Sequence, residues 1–257
     1  MKQIDEQYNI KVLEGDGRSS FLLNKSIVVD GGSLLATLEE KSIEIENIWL
    51  THSHLDHIVD IAYIIDNYYT LRKKQLHIFA LPQTIKALKE NFLNDTIWPD
   101  FSKIELYEGD EKVVKYHEIE IGKIYPLSKN ETIEAYATDH TIPSCGYIYK
   151  YKERAIAISS DTYSLKNIQQ IMDVRKDINS LIVECSFSNN MKELAIKSKH
   201  LTAELLFKQL NCFQRDDFQL YINHIKPTYY KKIIEEIEQK RGALKVKILK
   251  NKEILHF

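Results

Sequence analysis

The chain reads as a layered α/β protein. Three observations carry that expectation. Short apolar runs are separated by tight turn signals, helix-periodic stretches follow them, and both halves of the chain repeat this order. In the first half, spans 8–13, 20–23 and 26–30 read as strands joined at Gly15-Asp16-Gly17 and Asn24-Lys25. A helix is expected over 33–41, a buried strand at 48–50, and a helix over 57–70 that is apolar on nearly every face. A strand at 76–80 and a helix over 82–92 complete this half. In the second half, strands are expected near 104–107, 118–126, 132–138, 146–151 and 155–159. A helix follows near 164–173, then strand 178–184, helix 202–210, strand 219–222, helix 228–240 and a closing strand at 244–249. No linker, repeat or low-complexity block interrupts the sequence, so 1–257 reads as one domain.

Composition narrows the function. The chain has 257 residues, with 35 Lys and Arg against 37 Asp and Glu, a net charge of −2 that is not that of a general nucleic-acid binder. Eight glycines and five prolines exclude collagen-like or largely disordered chains. Three cysteines, none in a CxxC pair, suit a reducing compartment. Residues 1–7 carry no apolar segment of a secretory leader, and no run approaches the ~20 apolar residues that span a bilayer. The expectation is a cytoplasmic protein without a membrane partner.

The strongest local signal is His52-Ser53-His54-Leu55-Asp56-His57, directly after the 48–50 strand. Residues i and i+2 of extended chain face one side, so His52 and His54 can address one metal. Asp56 and His57 fall where a helix begins and aim elsewhere, an arrangement that serves two adjacent metals. Imidazole with carboxylate suits zinc, manganese or iron better than calcium or magnesium. Further donors stand at strand ends: His140 after 132–138, Asp161 after 155–159, and His224 after 219–222, with His200 before the helix at 202. Side chains leaving strand ends commonly converge on one rim of a sheet. His77, His117 and His256 read as ordinary histidines.

These residues carry a resemblance. The Thr51–His57 run is similar to the hallmark of the metallo-β-lactamase superfold. Within it, the chain resembles the class II cyclic-nucleotide phosphodiesterases through Ile97-Trp98-Pro99-Asp100-Phe101, Pro143-Ser144-Cys145-Gly146-Tyr147, Ser160-Asp161-Thr162, Glu184-Cys185-Ser186-Phe187, Ser198-Lys199-His200-Leu201-Thr202 and His224-Ile225-Lys226-Pro227. It departs from that family at Asp60, where a small residue is usual, and at Asp66-Asn67.

The resemblance implies a four-layer αββα sandwich of the metallo-β-lactamase type. It implies two divalent metal ions, zinc first with manganese or iron as alternatives. His52, His54 and His140 would hold one, Asp56, His57 and His224 the other, and Asp161 both. The reaction implied is hydrolysis of cyclic AMP, cyclic GMP or both to nucleoside 5′-monophosphates by a hydroxide shared between the metals. His200, oriented by Glu184, would act as general acid. Trp98 and Phe101 would stack on the base or else pack under a loop, and Ser144 and Tyr147 would meet phosphate or ribose. The partner is a small cyclic nucleotide, with no stable nucleic-acid partner, and a homodimer is an assembly common in the superfold. Two rivals share the superfold: a tRNA 3′-processing endonuclease and a non-catalytic cyclic-nucleotide-binding protein. The endonuclease usually carries a long basic arm before the bridging aspartate, and the short stretch from His140 to Asp161 leaves room for a single hairpin.

Overall fold

The computed structural model describes residues 9–15 and 17–256. The leader reading of residues 1–7 and Asp16 of the first turn lie outside them. By its contacts the chain divides into two compact units, one running to Ile119 and including 250–256, the other spanning Glu120–Leu249.

The first unit is built on a seven-stranded mixed sheet. β1 (Asn9–Gly15), β2 (Arg18–Leu22) and β3 (Ile27–Val29) are antiparallel, and β3, β4 (Asn47–Trp49), β5 (Leu76–Ala80) and β6 (Val114–Glu118) are parallel. Short α1 (Leu35–Leu38) precedes β4, and α2 (Leu55–Asp66) and α3 (Pro82–Asn91) follow β4 and β5 as crossovers. Period-two burial divides β5: Leu76, Ile78 and Ala80 join the core with Ile58, Ile61 and Ile65 of α2 and Ile85 and Leu88 of α3, while His77 and Phe79 take the opposite face. α2 is not buried all round as expected, since Leu55 and Tyr63 are exposed.

The second unit repeats the plan. β7 (Ile124–Pro126), β8 (Glu131–Ala137), β9 (Cys145–Tyr151) and β10 (Arg154–Ile158) form an antiparallel meander. From β10, the sheet continues in parallel through β11 (Ile178–Glu184), β12 (Gln219–Asn223) and β13 (Val246–Ile248). Helices α4 (Lys166–Val174), α5 (Lys192–Lys197), α6 (Ala203–Leu210) and α7 (Tyr230–Lys240) supply the crossovers, and Ile168, Met172, Leu206, Ile233 and Ile237 pack with Leu181, Val183 and Ile222.

Three expectations change. Residues 104–107 form no strand; they carry only the bridge Glu105–Lys112, and the edge strand is the polar β6 instead. The expected strand 118–126 breaks between β6 and β7 at a turn through Gly122, whose φ is 79°. The strand over 244–249 does not close the chain: β14 (Ile254–His256) follows and pairs with β1 in the first sheet. No helix among the described residues is long and apolar enough to cross a membrane.

Candidate metal centre

Several of the donor side chains leave the carboxyl ends of parallel strands, where loops gather functional groups, while His140 follows the antiparallel β8. Asp30 follows β3 and Thr51-His52 follow β4. Asp161, Glu184 and His224 lie at or just beyond the ends of β10, β11 and β12, three neighbours in one parallel array.

In the first unit, His52, His54 and His57 come together. His52 Nε2 lies 3.1 Å from His54 Nδ1, and the His52 and His57 ring centroids are 4.1 Å apart. Asp56 opens α2 beside His57. Asp30 organises the group. Its Oδ1 accepts from the Thr51 amide at 2.8 Å, and its Oδ2 accepts from His57 Nδ1 at 2.8 Å. The Thr51 hydroxyl reaches both Asp30 oxygens, at 3.0 and 2.9 Å, and lies 3.0 Å from His52 Nδ1. A hydroxyl has one proton, and the carboxylate takes it, so the hydroxyl oxygen accepts from His52 Nδ1–H. Both rings are thereby held in the tautomer that turns an Nε2 lone pair outward, the usual outer support of a metal-bound histidine.

In the second unit, Asp161 is the centre. His224 Nε2 lies 3.4 Å from Asp161 Oδ1, and His140 Nε2 and His200 Nε2 each lie 3.9 Å from Oδ2. His140 Nδ1 donates to the Lys199 carbonyl at 3.2 Å, which again leaves Nε2 as the donor atom. Asp161, Glu184 and His200 offer ligand atoms within 4.8 Å of one another.

His200 is set apart from the other imidazoles by its partner. Its Nδ1 donates to Glu184 Oε1 at 2.7 Å. Glu184 also accepts from the amides of Thr162, Ser186 and Leu201 and from the Ser186 hydroxyl. A buried carboxylate with this many donors is fixed in place. Burial pulls the His200 pKa down, but the charge and hydrogen bond of Glu184, with Asp161, outweigh it and raise the pKa above the ordinary histidine value.

The backbone is strained beside the donor groups of each unit. Eight non-glycine residues among those described have positive φ, and four are Asp30 (62°), Ser160 (57°), Lys199 (54°) and His224 (52°). Each is a site residue or adjoins one, and such outliers persist where surrounding structure over-determines them.

Of the side chains expected at the substrate, Trp98 is half-buried against the first core, with its ring 5.3 Å from exposed Tyr63. Phe101 is 3% exposed and belongs to that core, so it takes the packing alternative. Tyr147 is fully buried on β9, and the Ser144 hydroxyl lies 2.7 Å from that of Thr138.

Sequence reasoning missed Lys199. Its carbonyl orients His140, and its ammonium pairs with Asp139 at 2.6 Å, so the two residues preceding His140 and His200 are tied together. The orienting atom belongs to the backbone, which no side-chain pattern reveals. Lys199→Gly, which keeps the left-handed conformation, is expected to retain metal affinity within about twofold. The β-branched Lys199→Val resists positive φ and should weaken metal binding by about 10–100-fold. Chelator competition on both folded variants measures the difference.

This donor chemistry fits divalent ions: neutral imidazoles with tautomers fixed by outer partners, combined with carboxylates, and two ring nitrogens already converging at 3.1 Å. Two mixed sheets flanked by helices and His/Asp clusters placed for metal coordination define a metallohydrolase of the metallo-β-lactamase type. Residues 17–211 match the family described as Anti-Pycsar protein Apyc1, and the chain belongs to that family.

Solved structures share the fold. Unliganded yeast PDE1 superposes with a TM-score of 0.82 at 16% identity, covering 98% of this chain and 99% of that one. The metallo-beta-lactamase fold protein YhfI from Bacillus subtilis gives 0.71 at 15% identity, covering 98% and 100%. Among curated proteins, ribonuclease Z of Thermococcus onnurineus is 28% identical over 122 residues, 47% of this chain and 35% of the relative. The alignment thus spans little more than a third of that protein.

Proposed function

We propose that this metallohydrolase is a phosphodiesterase that opens 3′,5′-cyclic nucleotides, cyclic AMP, cyclic GMP or both, to nucleoside 5′-monophosphates. The observation that carries the reading is the Glu184–His200 pair, with His200 Nε2 3.9 Å from Asp161. It provides a general acid beside a carboxylate suited to metals, as expulsion of a poor sugar-alkoxide leaving group requires. His52, His54 and His140 would hold one ion, Asp56, His57 and His224 a second, and Asp161 both, with zinc first and manganese or iron as alternatives. Ions bound there would lower the pKa of coordinated water toward about 7 and neutralise phosphoryl charge.

The chain supplies the rest. His200 keeps Nδ1–H on Glu184 and delivers its Nε2 proton to the 3′-oxygen as the P–O3′ bond breaks and hydroxide oxygen bonds to phosphorus; the proton that water gives up in forming hydroxide returns through solvent to His200. The half-buried Trp98 ring offers a face to the base, supported by the core that holds Phe101. Ser144, near His140 in sequence, is a candidate for phosphate or ribose, whereas Tyr147 is fully buried on β9 and packs instead.

A second reading, an endonuclease acting on tRNA 3′ ends, is favoured by the partial similarity to ribonuclease Z. Against it, the stretch from His140 to Asp161 is taken up by the β9–β10 hairpin, with no arm to grip an RNA. Metal-replete protein incubated separately with cyclic AMP, cyclic GMP and a tRNA precursor decides. The expected product is 5′-monophosphate, with turnover and metal content both lost in Asp161→Ala. Cleavage of the precursor alone establishes the endonuclease. Cyclic-nucleotide binding without turnover makes the chain a binding protein.

A further inference from the structure

A second pair of imidazoles converges elsewhere in the first unit. His77 Nδ1 lies 2.9 Å from His117 Nε2. In the parallel β5–β6 register His77 stands opposite Lys115 and His117 opposite Phe79, so the two histidines are diagonal neighbours across an edge of the sheet. His117 stacks on Phe79 at 4.5 Å and 14°, and Phe79 stacks on Trp49 at 4.3 Å and 6°, which fixes the plane of the His117 ring. Both histidines are half-buried.

The geometry points to a two-imidazole site for a divalent ion of tetragonal preference, copper(II) or nickel(II), formed by His77 Nδ1 and His117 Nε2, neither of which belongs to the His52–His57 run. Two nitrogens 2.9 Å apart, each about 2.1 Å from a shared ion, subtend ~90° at it. That is the cis angle of square-planar or octahedral coordination and is narrow for a tetrahedral ion. Water would complete the coordination sphere. Without metal the same contact is an N–H···N hydrogen bond. On ligation, the shared proton moves to the outer nitrogen of its own ring, so both imidazoles stay neutral and no proton is released. Burial first, and Lys115 among the charged neighbours, lower both histidine pKa values, which keeps the rings unprotonated at neutral pH. Glu46 and Glu111 act on His77 in the opposite sense.

The test uses full-length zinc-loaded protein titrated with less than one equivalent of copper(II) and read by electron paramagnetic resonance. Coupling to two nitrogens is expected, with copper affinity falling at least about tenfold in both His117→Ala and His77→Phe. Circular dichroism checks that the variants fold, and the paired variants guard against one that does not. An unchanged spectrum and affinity in both variants would place the copper elsewhere and overturn the assignment. Failure of the wild-type chain to take up copper would leave the pair as a hydrogen bond and overturn it equally. Neither result depends on which substrate the enzyme hydrolyses.

Discussion

His200→Ala is expected to lower kcat on the true substrate by about 10²–10⁴-fold while metal content stays at the wild-type level. The two readouts separate a proton donor from a ligand. His200 Nε2 is 3.9 Å from Asp161 Oδ2, beyond hydrogen-bonding range, and its other nitrogen is committed to Glu184. Glu184 keeps four further donors when the imidazole is removed, so the carboxylate is not stranded. Glu184→Gln extends the test to pH. Catalysis by the acid needs His200 protonated, so kcat falls as pH rises through its raised pKa. Removing the Glu184 charge lowers that pKa, and the decline should begin at lower pH than in the wild type. Metal loss in His200→Ala, measured by elemental analysis, would make the residue a ligand and sink the acid role.

Gly32→Ala is expected to destabilise the fold by about 2–4 kcal/mol and to reduce metal content. A Cβ at Gly32 would lie 1.7 Å from the Asp56 carbonyl oxygen and 2.7 Å from its carbon. Both are backbone atoms, so no rotamer change relieves the clash. The adjoining contacts are equally close: Gly31 N donates to His57 O at 2.6 Å, and Asp60 N donates to Gly31 O at 2.9 Å. The first turn of α2, which carries Asp56 and His57, therefore has to move. Gly122→Ala meets nothing within 4 Å and strains only its own φ of 79°, which makes it the internal control. Urea midpoints and metal analysis of the two variants decide whether close approach, rather than glycine loss as such, is what matters.

The sequence revealed the chemistry more fully than the framework. The His52–His57 run and the strand-end positions of Asp161 and His224 were visible because ligands need particular side chains at particular breaks in apolar pattern. The pairing of Glu184 with His200 comes from the family resemblance, and the two side chains lie 2.7 Å apart. Asp30, at a φ of 62°, holds His57 and Thr51, a role that has no motif of its own. β6 escaped notice because Val-Lys-Tyr-His-Glu is the polar pattern of an edge strand. β14 escaped because three residues acquire strand geometry only by pairing with β1, far away in sequence. α5 is short and charged, with only Ala195 buried, so its helical period is hard to see.

The left-handed conformations at Asp30, Ser160, Lys199 and His224 set foldability and turnover against each other at the same places. Each costs about 1–3 kcal/mol relative to relaxed backbone. Glycine at Ser160 or Lys199 would ease folding and widen the range of angles through which Asp161 or His200 could swing. Libraries screened for solubility or heat resistance alone would enrich such replacements and drift toward well-behaved but sluggish proteins. A screen that scores turnover in every round would retain the bulkier residues, and the tension of the backbone with them.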